Sequence, residues 1–405
     1  MNPSEISRRN LFKHSLKAGA ALSVSTLAPQ FVRAQSQTSA AKPRVLVLIE
    51  LKGGNDGLNM VVPFTDPAYR TLRPKIALPE ADLLKLTASV ALNNALAPLL
   101  PLWDKNELAI VQGVGYPQPN LSHFRSIEIW ETASRSNQTL DVGWLTRTFA
   151  GPLKAQSARW TADGVVVGSN ELAGLMGGAR AVALSNPEAF VRDAKLATRL
   201  PQSGHATLEH LLKTEADIQQ AAEGLRGNKF AFKTEFPKTG FGNAVSAAAQ
   251  VIASQSGDGA GGKHVPVIHL QLGSFDTHIN QLNAQANLFK QLSEGIVALK
   301  SALQELQRWD ETLVMTYSEF GRRPKENQSA GTDHGTVAPH FVIGGAVKGG
   351  IYGIQPSLTD LDSTGNMKFS VDFRQLYATV IERWWGVNSE QVLAGKFATL
   401  PLLRV

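Results

Sequence analysis

Acidic residues and histidines follow two apolar runs in the last third of the sequence, where they could bind a metal ion. LQLGSFDTHINQ places Asp276 and His278 just after one run, and TYSEFGRRPKENQSAGTDHG places Glu319, Asp333 and His334 after another. Carboxylate and imidazole groups are ligands for zinc, manganese, magnesium or calcium. The chain has no cysteine that could add a thiolate. The pattern indicates either a divalent metal site or a set of paired polar groups.

Two earlier segments hold residues of the same kind. Asp56 lies in GGNDG after the first apolar run, and Ser122 and His123 lie in SHF at the start of a helical pattern. Each has a structural alternative, because Asp56 suits a tight turn and Ser122 suits a helix N-cap. His123 could be a packed surface histidine. These three residues are candidate site residues only because they follow apolar runs.

The later candidates also have structural alternatives. Asp276 and His278 could form a hydrogen-bonded pair without a metal, and Glu319 could form a local salt bridge with Arg322 or Arg323. Asp333 and the following histidine could belong to a plain turn. The joint appearance of all these groups at the ends of apolar runs favours the metal site over any single alternative.

A parallel sheet is expected to position these residues. Val45–Leu51, Glu107–Gly115, His264–Leu272 and ETLVMTYSEF are apolar runs that predict strands. Between the last two, apolar residues at a spacing of 3, 4, 3, 4, 3 predict a long helix, at Phe289, Leu292, Ile296, Leu299, Leu303 and Leu306. Strand, helix and strand in this order form a parallel crossover. The sequence predicts an α/β fold, doubly wound, with a mostly parallel sheet, helices on both faces and a ligand site at the carboxyl ends of the strands.

Other segments are less regular. Residues 151 to 263 are expected to form an insertion that caps the sheet, with a helix in ATLEHLLKTEADIQQAAEGL and a flexible connector at Ser254–Lys263. Near the C-terminus, HFVIGGAVKGGIYG predicts a strand or hairpin and FRQLYATVIERWWGV predicts a closing helix.

The first 34 residues have the features of an export signal. Arg8 and Arg9 precede an apolar, alanine-rich stretch too short to span a bilayer, and Ala34 offers a cleavage point. We expect a twin-arginine signal over residues 1 to 34, a single domain over 35 to 405, and a periplasmic or secreted protein that meets the twin-arginine export machinery. The signal carries five basic residues and one acidic residue, so the net charge of +6 falls to +2 without it. Nucleic acid is therefore not an expected partner.

A family resemblance covers nearly all of the chain after the signal. GGNDGLNMVVP, SHF, FDTHINQ, SEFGRRPKENQSAGTDHG and GGAVKGGIYG, in this order, resemble the bacterial family catalogued as domain of unknown function 1501. That family is considered a distant relative of the alkaline phosphatase and sulfatase superfamily. The resemblance implies an alkaline-phosphatase-like fold with a metal site at the strand ends.

The superfamily's pattern also implies roles for individual residues. Asp56 would match its first acidic ligand, Ser122 its nucleophile, and Asp276 with His278 the ligand pair of one metal. The superfamily has Asp-His after the next strand, where this chain has Glu319 and Phe320, so one ligand remains and the histidine is lost. His334 would match the final histidine ligand, with Asp333 beside it as an extra ligand.

The resulting functional expectation is an exported, metal-dependent hydrolase or transferase of phosphate or sulfate esters. Arg322 and the metal would stabilise charge on the transferring group of a small or polymer-borne ester, and His123 would protonate the leaving oxygen. The alternative is a non-enzymatic exported binding protein that retains the fold and a structural metal. A serine hydrolase of carboxyl esters is disfavoured because Ser122 lacks a G-x-S-x-G elbow.

Overall fold

A computed structural model of the protein describes residues 43–157, 160–184, 230–255 and 264–404. The predicted signal, the predicted helix in ATLEHLLKTEADIQQAAEGL and most of the predicted connector lie outside these ranges.

The apolar runs form the centre of a nine-stranded sheet. The strands are β1 Val45–Leu51, β2 Val61–Val62, β3 Leu83–Lys85, β4 Ala91–Asn93, β5 Leu108–Gly115, β6 Gly164–Val167, β7 Ala181–Leu184, β8 Val267–Leu272, β9 Thr312–Tyr317, β10 Gly321–Glu326, β11 Thr332–Gly335, β12 Ala338–Ile343, β13 Gly350–Tyr352 and β14 Val371–Asp372. The strand order of the central sheet is β13-β5-β12-β9-β1-β8-β6-β7, and β14 also pairs with β5.

Helices cover both faces of this sheet. The α-helices are α1 Gly57–Met60, α2 Pro67–Leu72, α3 Leu100–Asp104, α4 His123–Thr132, α5 Trp144–Ala150, α6 Lys154–Ser157, α7 Gly240–Ala253, α8 Gln281–Glu305, α9 Phe373–Ala378 and α10 Glu390–Leu393. Shorter 3₁₀ turns are at Glu80–Asp82, Asn94–Leu99 and Ala173–Leu175, and α9 continues into a π-helix at Thr379–Trp384.

Strand β1 lies at the middle of the sheet and is buried along its whole length. It pairs in parallel with β8 on one side and β9 on the other. Alternate residues enter two different cores: Val47 and Ile49 pack with α7 and α8, whereas Leu46 and Leu48 pack with α4, α5 and α9. A strand buried on both faces needs a nearly continuous apolar sequence, which this segment has except at Glu50. The predicted α/β fold with helices on both faces is confirmed.

The segment HFVIGGAVKGGIYG forms two strands, but they are not a hairpin. Strand β12 pairs antiparallel with β5 and β9, and β13 pairs in parallel with the other side of β5. Strand β5 therefore lies between them. Because β12 runs against its neighbours, the sheet is mostly rather than wholly parallel.

The described part of the middle segment extends the central sheet. Strand β6 pairs in parallel with β8, and β7 pairs in parallel with β6. Helix α7 packs on the same core as α8. That residues 151 to 263 also cap the sheet stays a prediction.

The segment after β9 forms a hairpin, and Asp333 and His334 lie on its second strand rather than in a plain turn. Strands β10 and β11 pair antiparallel and place Arg322 directly opposite His334. This small sheet lies at the carboxyl end of β9 and carries part of the site described below. Within the described ranges, none of the helices combines the length and the apolar character needed to cross a membrane.

Candidate metal centre

Five of the predicted site residues meet at the carboxyl ends of β8 and β9. Asp276 and His278 follow β8, Glu319 follows β9, His334 lies on β11, and His123 is the first residue of α4. Parallel strands bring these loops to one edge of the sheet, which is why residues distant in sequence become neighbours. Ligand atoms of His123, Asp276 and His334 all lie within 4.8 Å of one another.

Three ligand atoms form a compact triangle. His278 Nε2 lies 2.9 Å from Asp276 Oδ1 and 3.1 Å from His334 Nε2, and His334 Nε2 lies 3.2 Å from the same carboxylate oxygen. A triangle with these sides has its centre about 1.8 Å from each corner, so a point about 2.0–2.1 Å from all three atoms exists, as zinc–ligand distances require. The geometry of these three side chains fits a divalent ion.

The protonation of His334 supports the same conclusion. Its Nδ1 lies 2.8 Å from the carbonyl oxygen of Leu121, which can only accept, so Nδ1 carries the hydrogen. Burial is the main influence on the pKa of His334 and lowers it, which favours the neutral ring. Neutral His334 then presents an Nε2 lone pair to the carboxylate of Asp276. Two acceptors in contact need a hydrogen or a cation between them, which the Nε2–H group of His278 or a metal ion would supply. A backbone bond that fixes the opposite ring nitrogen is typical of metal-binding histidines.

Asp276 supplies the negative charge of this cluster. Partial burial raises its pKa, but the hydrogen bond and the charge of Arg322 outweigh the burial and lower the pKa to about 2. The carboxylate is therefore ionised at neutral pH. Its side chain is 44% exposed and that of His278 is 41% exposed, so one side of the cluster is open to solvent. A bound ion could thus keep an open position for a substrate.

His123 contacts the cluster from the other oxygen of Asp276. Its Nε2 lies 3.4 Å from Asp276 Oδ2, and its Nδ1 lies 2.9 Å from Glu319 Oε1. Glu319 is buried, and its Oε1 also accepts a hydrogen bond from the backbone of Gly53. The carboxylate is thereby held in place and orients the imidazole of His123. Glu319 contacts this ring rather than the triangle.

Arg322 is buried beneath Asp276, and its side chain has no exposed surface. Its guanidinium donates to Asp276 Oδ1 at 2.6 Å and to four backbone carbonyls, those of Gly53, Gly54, Phe275 and Thr332. In this arrangement it holds Asp276 and the loop after β1. The predicted contact of Arg322 with a transferring group stays a prediction.

Asp56 and Asp333 are not brought into the triangle. Asp56 is completely buried, and its carboxylate contacts Arg73 and Gln281 instead of the imidazoles. Asp333 is exposed, with its Oδ1 4.0 Å from His278 Nδ1. The predicted ligand roles of both residues stay predictions.

Ser122 is flanked in sequence by two residues that contact the cluster. The residue before it, Leu121, accepts the bond from His334, and the residue after it, His123, contacts Asp276 and Glu319. Ser122 occupies the N-cap position of α4, as predicted, but its side chain makes no capping hydrogen bond. It is exposed to solvent. Its hydroxyl is therefore available for another role.

Residues that sequence reasoning missed surround the site. Glu50, on β1, is buried at 1% exposure, accepts a hydrogen bond from Gln271, and has its pKa raised to about 7 by burial. A glutamate inside the otherwise apolar run VLVLIEL was a visible signal of an unusual position. Arg73 and Gln281, the partners of Asp56, gave no comparable signal.

Comparisons with known proteins give a family and several similar folds. The family described as "Protein of unknown function (DUF1501)" matches residues 108–397. None of the curated proteins compared with the chain matches it.

Among solved structures, the chain is similar to a protein in the alkaline phosphatase superfamily from Vibrio parahaemolyticus (12% identity, 90% of this chain and 71% of that one, TM-score 0.43). It is also similar to the lipoteichoic acid synthase LtaP from Listeria monocytogenes (11% identity, 88% and 76%, TM-score 0.37) and to alkaline phosphatase from the Antarctic bacterium TAB5 (13% identity, 77% and 95%, TM-score 0.29). With TM-scores below 0.5, the chemistry of the site has to be argued from its own residues.

Proposed function

The chain belongs to the DUF1501 family, and from that premise we propose that it is a divalent-metal-dependent hydrolase or transferase of phosphate or sulfate esters. The observation that carries the proposal is the triangle of Asp276 Oδ1, His278 Nε2 and His334 Nε2, whose sides are 2.9, 3.1 and 3.2 Å. These three side chains would hold the metal. Three protein ligands with one side open to solvent are typical of catalytic rather than structural zinc sites. When bound, such an ion supplies Lewis acidity toward an anionic ester.

Ser122 is the proposed nucleophile. It is exposed at the start of α4, its hydroxyl does not cap the helix, and both neighbouring residues contact the centre. Its Oγ would bond to phosphorus or sulfur while the ester oxygen leaves, and water or a second hydroxyl would then release the group from the serine. The first N–H groups of α4 favour an anion at this position.

His123 is the proposed proton carrier. Glu319 fixes its Nδ1, so the proton that moves is the one on Nε2, which would pass to the leaving ester oxygen. A histidine oriented by a buried carboxylate is suited to this role. If His123 is instead a fourth ligand, His123→Ala will lose metal as well as activity.

We also propose that the protein is exported in folded form by the twin-arginine pathway and works in the periplasm or outside the cell. The support is the sequence of residues 1 to 34, with Arg8 and Arg9 before the apolar stretch. Replacing both arginines by lysine should leave the protein in the cytoplasmic fraction. Unchanged export of that variant would reject this pathway.

Metal content tests the proposed centre first. Protein from the native host is compared with Asp276→Ala by elemental analysis, and phosphate and sulfate esters are then screened with Ser122→Ala as the control. Metal that is present in the wild type and lost in Asp276→Ala, together with turnover lost in Ser122→Ala, supports the proposal. A wild type with no metal, even after incubation with zinc or manganese, would refute it.

A second candidate is an exported binding protein with a structural metal. It is favoured by Asp56, expected as a metal ligand, and by Arg322, expected in catalysis, because both side chains are fully buried in contacts with other protein groups. This candidate predicts a metal-loaded protein with no turnover of any ester tested and no covalent group on Ser122.

A further inference from the structure

Asp56 lies in a buried polar network that connects it, through Gln281, to the segments that carry the metal centre. Its Oδ2 accepts from Arg73 Nη1 and from Gln281 Nε2, both at 2.5 Å, and its Oδ1 accepts from Arg73 Nη2 at 2.9 Å. Oδ1 also accepts from the backbone of Leu58 at the start of α1. Every one of these contacts is with a protein donor, and the side chains of Asp56 and Arg73 have no exposed surface.

Asp56 determines which way the amide of Gln281 points. An ionised carboxylate can only accept hydrogen bonds, so the NH₂ group of Gln281 must face it. The Oε1 of Gln281 is then turned to two hydroxyls, accepting from Thr332 at 2.6 Å and from Thr277 at 3.1 Å. Gln285 donates to the same Thr277 hydroxyl at 3.3 Å, so that hydroxyl is fixed from two sides.

The two threonines are next to the metal-binding side chains. Thr277 lies between Asp276 and His278 in the chain, and Thr332 lies two residues before His334 on β11. One glutamine oxygen therefore ties together the two segments that supply all three corners of the triangle. Gln281 is the first residue of α8 and is fully buried, which gives the connection a rigid base.

Arg73 extends the network to the β10–β11 hairpin. Its Nε donates to the Pro324 carbonyl at 2.8 Å, and its Nη2 donates to the Arg323 carbonyl at 2.9 Å. A buried arginine with a bidentate carboxylate partner is a strong and directional contact. Asp56 thus connects the loop after β1 to both segments that carry histidine ligands.

We propose that Asp56 is a positioning residue that acts through Gln281 to set the distance between His278 and His334, and that it is not a metal ligand. This inference rests on the proposed metal centre. Loss of the carboxylate's charge releases the Gln281 amide from its required orientation, and the hydroxyls of Thr277 and Thr332 then lose their shared acceptor. Hydrogen-bond partners behind metal ligands typically change metal affinity by 10- to 100-fold.

The test uses Asp56→Asn, Asp276→Ala and a matched pair at Thr332 in the full chain. Zinc stoichiometry and affinity are measured by competition with a chelator. We expect Asp56→Asn and Thr332→Val to bind as much zinc as the wild type at saturation but about 10- to 100-fold more weakly. Thr332→Ser keeps the hydroxyl and should bind within about threefold of the wild type. Asp56→Asn removes a buried charge that pairs with Arg73, so the Thr332 pair, which keeps that ion pair, tests the connection independently of folding.

The outcomes separate this inference from the metal centre itself. Zinc stoichiometry lost in Asp56→Asn as in Asp276→Ala would make Asp56 a ligand and overturn the inference, as would unchanged affinity in both Asp56→Asn and Thr332→Val. Imidazole ¹⁵N signals of the metal-free protein give a second readout. Signals of His278 and His334 should shift in Thr332→Val but not in Thr332→Ser, and unchanged signals overturn the inference even if the wild type binds no zinc.

Discussion

His278 and His334 meet through their Nε2 atoms, 3.1 Å apart, while the other ring nitrogen of His334 is bound to the Leu121 carbonyl. Because that bond places the hydrogen of neutral His334 on Nδ1, its Nε2 contributes a lone pair to the contact. The carboxylate of Asp276 is a second acceptor, 3.2 Å from the same atom. Two acceptors at this distance need a hydrogen or a cation between them, which the Nε2–H group of His278 or a metal ion would supply.

Removal of the metal should therefore lower the melting temperature. An ion present at about 1,000 times its Kd stabilises the folded state by about 4 kcal/mol, so zinc should raise the melting temperature by several degrees over the chelated protein. His334→Ala should lose this difference, as scanning fluorimetry with zinc or chelator would show. Asp333→Ala is the control, because its exposed carboxylate is 4.0 Å from His278 and the difference should remain. An equal zinc effect in wild type and His334→Ala would contradict the assignment.

Replacement of Glu319 should separate catalysis from metal binding. Glu319 contacts His123 at 2.9 Å, so Glu319→Gln removes the charge that orients this ring. We expect zinc content to stay at the wild-type level and turnover of the best ester to fall by about 100-fold, the size of a general acid contribution. The control is Glu294→Gln on α8, where the glutamate contacts only the neighbouring Lys290 among its described ion pairs. Loss of zinc from Glu319→Gln would instead make Glu319 a ligand.

Two glycines near the centre should respond differently to alanine. Gly53 has φ +119°, and a Cβ there would lie 2.4 Å from the backbone nitrogen of Asp276. Gly53→Ala should lower the free energy of unfolding by about 2–4 kcal/mol, from backbone strain and displacement of the Asp276 segment. Gly273, just after β8, has open space at the same position, and Gly273→Ala should change stability by less than about 0.5 kcal/mol. Urea unfolding of both variants checks this, and equal effects would contradict it.

Buried Glu50 should make the protein less stable as the pH rises. Burial raises its pKa to about 7 in the folded protein, whereas the unfolded chain ionises near the ordinary value of 4.5. The folded state therefore binds more protons between these values, and the contribution of this residue to stability should fall as the pH rises from about 4.5 to 7. The loss from this residue is about 3 kcal/mol, at about 1.4 kcal/mol per pH unit. Burial also raises the pKa of nearby Glu131, to about 8, which adds to the effect.

Urea unfolding at several pH values measures this dependence. Glu50→Gln should have a weaker decline between pH 5 and 8 than the wild type, and the exposed Glu390→Gln should decline like the wild type. A decline in Glu50→Gln as steep as in the wild type would show that Glu50 is not the source.

The central strands and the position of the centre were readable from sequence because both depend on local patterns. Val45–Leu51 is apolar except for Glu50, as suits a strand buried on two faces. The polar residues after β8 and β9 meet because parallel strands end at one edge. The apolar stripe from Phe289 to Leu306 predicted α8, which spans Gln281–Glu305.

The structure differs from the sequence-based expectations where a residue or strand has a partner that is distant in sequence. Asp56 has the residue type and the position of a ligand, but Arg73 and Gln281 occupy its carboxylate, and no spacing in the chain indicates those contacts. Likewise, β12 and β13 lie in one apolar and glycine-rich stretch that is typical of a hairpin. They separate because β5, from more than 200 residues earlier, pairs between them.

The pairing of β1 with β8 and β9 also determines when the centre can form. Val45 pairs with Thr312, and His123 contacts Glu319 across 196 residues of sequence. Such long-range pairs form late, since loop closure precedes the contacts that stabilise it. During synthesis, a chain that has not yet emerged beyond Gly331 lacks His334 and has two corners of the triangle. The metal site would therefore be complete only after the whole sheet has been assembled. With the proposed export of the folded protein, the metal would be bound before the membrane is crossed.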